Sequence, residues 1–206
     1  MGPHLKVEKP TRGHGALEAY LARERARKAN QLIPSEHRDG RLLDIGCGSF
    51  PYFLSTTRFA EKWGADQLFE SEARLELGDQ HVNLIPFDAQ HEARLPFPDE
   101  HFAVVTMLAV FEHIAPDRLT FLVTEIRRVL RPAGMFVMTT PAHWTDWLLQ
   151  LMARARLVSH LEINEHKGTY SQADIRSKLE LAGFGHSNVR SGSFEASANL
   201  WATATK

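Results

Sequence analysis

Residues 102–140 restrict the fold more than any other stretch. Phe102–Leu108 (FAVVTML) is an unbroken apolar run, as expected of a strand covered on both faces. It leads into Pro116–Leu130, where Leu119, Leu122, Val123, Ile126, Val129 and Leu130 fall on one helical face. Pro132 and Gly134 end that helix before a further strand-like run, Met135–Thr140. Strand, helix and strand in succession argue for an α/β fold with a mainly parallel sheet. The preceding chain repeats the alternation. Arg41–Ile45 reads as a strand and Phe50–Lys62 as mostly helical, with Pro51 tolerated in its first turn. A short strand ends near Asp66, and Val82–Pro86 is another.

Both flanks depart from this rhythm. Residues 1–13 read as an arm, and Gly15–Ile33 shows rough helical periodicity (Leu17, Tyr20, Leu21, Ala29, Leu32, Ile33) stopped by Pro34. The expected organisation is an arm and capping helix over 1–34 and a single domain over 35–206. Gln172–Ala182 is helical and closes at Gly183, and Ser187–Phe194 and Ala198–Thr205 follow as a terminal hairpin. Between them, the apolar, Trp-containing segment at about 142–169 is too long for a tight connection and reads as a helical lid. A length of 206 residues suits one domain with a substantial core. The net charge of -1 disfavours a nucleic-acid partner. With a single cysteine, Cys47, no internal disulfide framework exists, which fits a reducing compartment. No run of about 18 apolar residues marks a membrane span, and the cytoplasm is the expected location.

The candidate site starts at RLLDIGCGSFP, residues 41–51. Glycine at 46 and 48 permits unusual torsions and removes the Cβ that would block a ligand at a strand end. A dinucleotide, a phosphate or a sulfonium cofactor would each suit. The dinucleotide fingerprint needs a third glycine where Pro51 stands, which weakens a nicotinamide reading. Asp66, eighteen residues after Gly48, can accept hydrogen bonds from both ribose hydroxyls of a nucleoside. Asp88, after the third strand, can accept from an adenine amino group, with the Ala89 N–H facing a ring nitrogen. Three carboxylates (Asp44, Asp66, Asp88) with no phosphate-binding lysine suit a cationic or neutral ligand and repel a phosphate.

At this point the chain resembles the class I S-adenosylmethionine-dependent methyltransferases, in their small-molecule (methyltransferase-11-like) branch. The matching residues are LLDIGCGSF at 42–50, GAD at 64–66, FDA at 87–89, LPFPDEHFAVVTMLAVFEHI at 95–114 and VLRPAGMFVMTTP at 129–141. The resemblance implies a Rossmann-like sheet of seven strands, mostly parallel with an antiparallel last strand, and helices on both faces. It also implies that Gly46, Cys47 and Gly48 face the methionyl part of S-adenosylmethionine. Asp44, Asp66, Gln67, Asp88 and Ala89 would belong to the same cofactor site, and Leu108 and Ala109 would line it. The product would be S-adenosylhomocysteine.

Cys47 reads as a small residue fitting the loop, since no basic neighbour lowers its pKa. Some related enzymes hold a divalent metal through E-x-x-E-H; here residues 109–113 are AVFEH, so the first glutamate is missing and no metal is assigned. His143, directly after TTP, is the first candidate for a general base and His113 the second. Tyr20, Trp144 and Tyr170 are candidates for the acceptor pocket, with Trp147 and the neighbouring leucines in the lid. The expected acceptor is a small, lipid-like or peptide molecule, methylated on oxygen, nitrogen or carbon, and the protein is expected as a monomer or homodimer. Two rival readings remain at this level: a cofactor-binding protein without transferase activity, and a nicotinamide-dependent oxidoreductase.

Overall fold

The computed structural model describes residues 18–77, 80–142, 144, 168 and 170–206. The expected arm and most of the expected lid, with His143 and Trp147, lie outside these residues. The described elements are α1 (Glu18–Leu32), β1 (Arg41–Ile45), α2 (Tyr52–Thr56), β2 (Glu61–Asp66), β3 (Ala73–Leu77) and β4 (Gln80–Pro86). They continue as β5 (Phe102–Leu108), α3 (Pro116–Val129), β6 (Leu130–Pro141), α4 (Gln172–Leu181), β7 (Val189–Phe194) and β8 (Asn199–Thr205). The strands form one eight-stranded sheet in the order β3-β4-β2-β1-β5-β6-β8-β7. Its inner strands are parallel, and β8 runs antiparallel between β6 and β7.

Side chains alternate across the sheet with the period of two that extended chain imposes. Leu43 and Ile45 of β1 and Phe136 and Met138 of β6 pack with Leu119, Leu122, Val123 and Ile126 of α3 and Ile175 and Leu179 of α4. Leu42 and Val137, one residue out of phase, pack on the other face with Ala26 and Ala29 of α1 and Phe53 and Leu54 of α2. The helices therefore cover both faces, as expected of a parallel sheet. Helix α4 opens with a reciprocal capping box between Ser171 and Asp174. It closes at Gly183 (φ +95°), whose N–H donates to Glu180 O while that of Phe184 donates to Leu179 O, the paired bonds of a left-handed C-terminal cap.

Three expectations need correction. The sheet has eight strands rather than seven, because Ala73–Leu77 forms an extra edge strand antiparallel to β4. The helix expected over 50–62 is limited to Tyr52–Thr56, since Thr57 is already extended (φ −112°, ψ 156°). Its hydroxyl receives a 2.6 Å bond from Arg38 and donates to Asn30 Oδ1 at 2.7 Å, which competes with the helical path. Strand β6 starts at Leu130, ahead of the turn residues Pro132 and Gly134, rather than at Met135.

The short α2 is finished by a side chain from the next strand. Lys62 is 1% exposed, and its ammonium donates to Leu54 O at 2.8 Å and Thr57 O at 3.3 Å. Lys62→Met keeps the aliphatic stem and removes both bonds, so it is expected to cost about 1–3 kcal/mol of stability. Urea unfolding measures this; an unchanged midpoint would refute the capping role.

Candidate active site

In the sheet, β1 lies between β2 and β5, so the chain order reverses at its carboxyl end and leaves a crevice there. The glycine loop occupies that end. Gly46 (φ +75°) donates its N–H to Ala65 O at 2.7 Å, and Gly48 (φ +74°) donates to Asp66 Oδ2 at 2.8 Å. The other oxygen of Asp66 accepts from Leu68 N–H at 3.0 Å. Asp66 is thus buried at the end of β2 and ties the loop of β1 to the turn after β2. The two glycines serve different needs. A Cβ on Gly46 would lie 2.4 Å from Val110 Cγ2, whereas one on Gly48 would meet nothing within 4 Å among the described residues. Among those residues the space beside Gly48 is open. Cys47 points elsewhere: its Sγ would be 2.8 Å from a Cβ on Gly64, so it fills the room that glycine leaves on β2.

Asp44 lies within β1, two residues before Gly46, 4% exposed, and accepts a 2.6 Å hydrogen bond from Thr106 Oγ1 on β5. Burial raises its carboxyl to about 7; the Thr106 bond opposes this and the charge of Asp66 adds to it. Because the folded value is raised, Asp44 favours the folded state most below its unfolded pKa of about 3.9, and this contribution is lost as pH rises through about 7. Asp44→Asn is therefore expected to flatten the fall in stability between about pH 4 and 7. Urea unfolding at several pH values, mutant against parent, measures it; parallel curves would refute the assignment.

Asp88 begins the turn after β4. Its carboxylate accepts from Gln90 N–H at 2.8 Å and lies 2.8 Å from His91 Nδ1, while its own N–H donates to Glu92 Oε1 at 2.7 Å. Desolvation pushes the Asp88 carboxyl up, but the bonds from His91 and Gln90 outweigh it and hold the group below its usual range. Gln90 then crosses to the next loop: its Nε2 donates to His113 O, and Ala115 N–H donates to its Oε1 at 3.3 Å. On that loop Ala109 takes a left-handed conformation (φ +56°) and donates its N–H to Thr139 O at 2.9 Å. Leu108, Ala109 and Ala89 are half-buried, and Gln67 is exposed.

The candidate acceptor residues are more scattered. Tyr20 stands 55% exposed on α1, and Trp144 donates its Nε1–H to Ser197 O at 3.1 Å, beside the turn between β7 and β8. Tyr170 is buried, bridges to Ala142 and meets the Phe111 ring edge-on at 5.1 Å between centroids. His113 is half-buried in the short 3-10 turn Phe111–His113, and Glu112 beside it is buried. Sequence reasoning passed over Thr106, Gln90 and Thr140, which partner Asp44, the loop of His113 and Glu112. The one available signal was a hydroxyl near the carboxyl end of an otherwise apolar strand, as in FAVVTML and MFVMTTP.

Residues 17–186 match the family model described as a methyltransferase domain. The sheet resembles that of an S-adenosylmethionine-dependent methyltransferase of Thermotoga maritima, a possible histamine N-methyltransferase. The TM-score is 0.65 at 14% identity, over 88% of this chain and 87% of that one. A similar chain comes from a complex with the Haloferax volcanii Trm112 methyltransferase activator, with TM-score 0.62, 17% identity and coverage of 92% and 95%. A third is an S-adenosylmethionine-dependent methyltransferase of Archaeoglobus fulgidus, with TM-score 0.63, 16% identity and coverage of 90% and 94%. At such identities the likeness is one of fold. The match over 17–186 extends it to family: the chain belongs to the methyltransferase-domain family, with the class I S-adenosylmethionine-dependent fold.

Proposed function

We propose that the chain transfers the methyl group of S-adenosylmethionine to a small-molecule acceptor by in-line displacement at the methyl carbon. The observation that carries this reading is the pairing of open space at Gly48 with the buried carboxylate of Asp66 at the neighbouring strand end. The residues fit the cofactor that the family implies. Each oxygen of Asp66 accepts from a backbone donor, and a carboxylate oxygen can accept a second bond, as from a ribose hydroxyl. The charge of Asp66, which raises the neighbouring Asp44 carboxyl, favours a cationic ligand over a pyrophosphate, whose charge would add to it. Pro51 precedes α2, at the position where a dinucleotide site has its third glycine.

In this reading the backbone of Gly46, Cys47 and Gly48 holds the methionyl part, Asp66 and Gln67 the ribose, and Asp88 with Ala89 the adenine. Leu108 and Ala109 close the far wall. When bound, S-adenosylmethionine supplies a methyl group already activated by its sulfonium leaving group. The protein's task is then to align the acceptor and exclude water, which can account for much of the barrier reduction. His113 or His143 would take the proton of a hydroxyl acceptor; a carbon nucleophile needs little such help. Calorimetry with S-adenosylhomocysteine and with NAD tests the cofactor, and labelled-methyl transfer tests the reaction. S-adenosylhomocysteine binding without NAD binding is the expected result. NAD binding alone would overturn the reading, and cofactor binding without transfer to any acceptor tried would favour a binding protein.

A further inference from the structure

Glu112 is 3% exposed, and among the described residues its carboxylate has one hydrogen-bond donor, Thr140 Oγ1 at 2.9 Å. Among the described residues no lysine or arginine pairs with it. An ionised carboxylate offers about four acceptor sites, and burying such a charge without a partner is costly. The Tyr170 hydroxyl is also buried and, among the described residues, has no hydrogen-bond partner. Burial pushes its pKa up, and the negative charge of Glu112 adds to that. The two residues are held together by the backbone: Gly168 N–H donates to Glu112 O at 3.3 Å, and Gly168 lies over the phenol. A Cβ there would come within 2.6 Å of Tyr170 Oη, so the glycine keeps that position clear. The Phe111 and Tyr170 rings stand edge-on to each other, and Phe111 directly precedes Glu112 in the same 3-10 turn.

All of these groups lie at the carboxyl ends of β5 and β6, on the same end of the sheet as the glycine loop, and Thr140 is in phase with Phe136 and Met138 on the face covered by α3 and α4. A carboxylate lacking a counter-charge, an unsatisfied hydroxyl and two aromatic rings share one complementary ligand. Ammonium groups are drawn both to carboxylates and to aromatic faces.

We propose that Glu112, Tyr170 and Phe111 form a specificity subsite for an organic ammonium group, so that the methyl acceptor is an amine-bearing small molecule. The inference rests on the methyltransferase reading and narrows its substrate class. Glu112 takes the N–H donors of the ammonium, and the Tyr170 hydroxyl completes its hydrogen bonding.

The test uses the full chain saturated with S-adenosylhomocysteine and matched probes: tryptamine against tryptophol, phenethylamine against phenethyl alcohol, and 1,5-diaminopentane against 1,5-pentanediol. Calorimetry is expected to show at least one amine binding tenfold or more tighter than its alcohol. Glu112→Gln should remove that preference and leave S-adenosylhomocysteine affinity within twofold. Tyr170→Phe should weaken the same amine several-fold without lowering the melting temperature, because the lost hydroxyl was unsatisfied. The proposal is overturned if no amine outbinds its alcohol, or if Glu112→Gln keeps the preference. It is equally overturned if that variant weakens S-adenosylhomocysteine as much as the amine, which would place Glu112 in the cofactor subsite. Failure of the wild-type chain to bind S-adenosylhomocysteine at all would instead count against the methyltransferase reading.

Discussion

Asp66→Ala is expected to weaken S-adenosylhomocysteine binding ten- to a hundredfold. Hydrogen bonds to a charged group contribute about 1.5–3 kcal/mol, and Asp66 is proposed to accept them from the ribose. The structure adds a second reason. Asp66 also accepts from the N–H groups of Gly48 and Leu68, so its loss releases the loop that would hold the methionyl part. Asp66→Asn separates the two effects. The carboxamide retains one acceptor oxygen but turns an NH2 toward one backbone donor, so loop support suffers while the ribose loses only part of its bonding. Affinity should therefore fall in the order wild type, Asn, Ala. Calorimetry on the three proteins, with melting temperatures alongside, measures this. Equal affinities across the series would remove Asp66 from the cofactor site.

Gly46→Ala and Gly48→Ala should fail in different ways. Both glycines have φ near +75°, which costs a side-chain-bearing residue about 1–2 kcal/mol. At Gly46 the new methyl would also press to 2.4 Å from Val110 Cγ2, and overpacking of this kind adds about 1–3 kcal/mol. Gly46→Ala is thus expected to lose about 2–5 kcal/mol of stability. At Gly48 no described residue lies within 4 Å of the new methyl, so only the backbone strain remains. Gly48→Ala should stay folded and lose cofactor affinity at least tenfold, because its methyl enters the open space assigned to the ligand. Denaturant unfolding and calorimetry on the same pair separate the outcomes. Equal destabilisation of the two variants would contradict the packing described here; undiminished affinity in Gly48→Ala would contradict the ligand's placement.

Parts of this site were legible in the residues. Phe102–Leu108 has the bounds expected from its apolar run, since a strand buried on both faces is apolar along its length, and Arg41–Ile45 also has its expected bounds. Gly183 ends α4 as expected, because the left-handed position there favours glycine. The extra strand β3 was not legible. ARLEL alternates like a strand, but five residues at a sheet edge bury too little to stand out. The helix after the glycine loop was overextended for a different reason: its end is set by Arg38, Asn30 and Lys62, none of them within the helix.

Local patterns alone determined the α/β class, the place of the glycine loop at a strand end and the acidic residues that follow successive strands. These follow from periodicity and torsional freedom, which are properties of short stretches of chain. Only the tertiary structure decided which groups answer one another. Asp44 meets Thr106 across 62 residues and Glu112 meets Thr140 across 28. It also decided that Gly46 is packed against Val110 while no described residue crowds Gly48. Desolvation and contact depend on which strands become neighbours, and β1 beside β5 is a pairing that the order of the chain does not state.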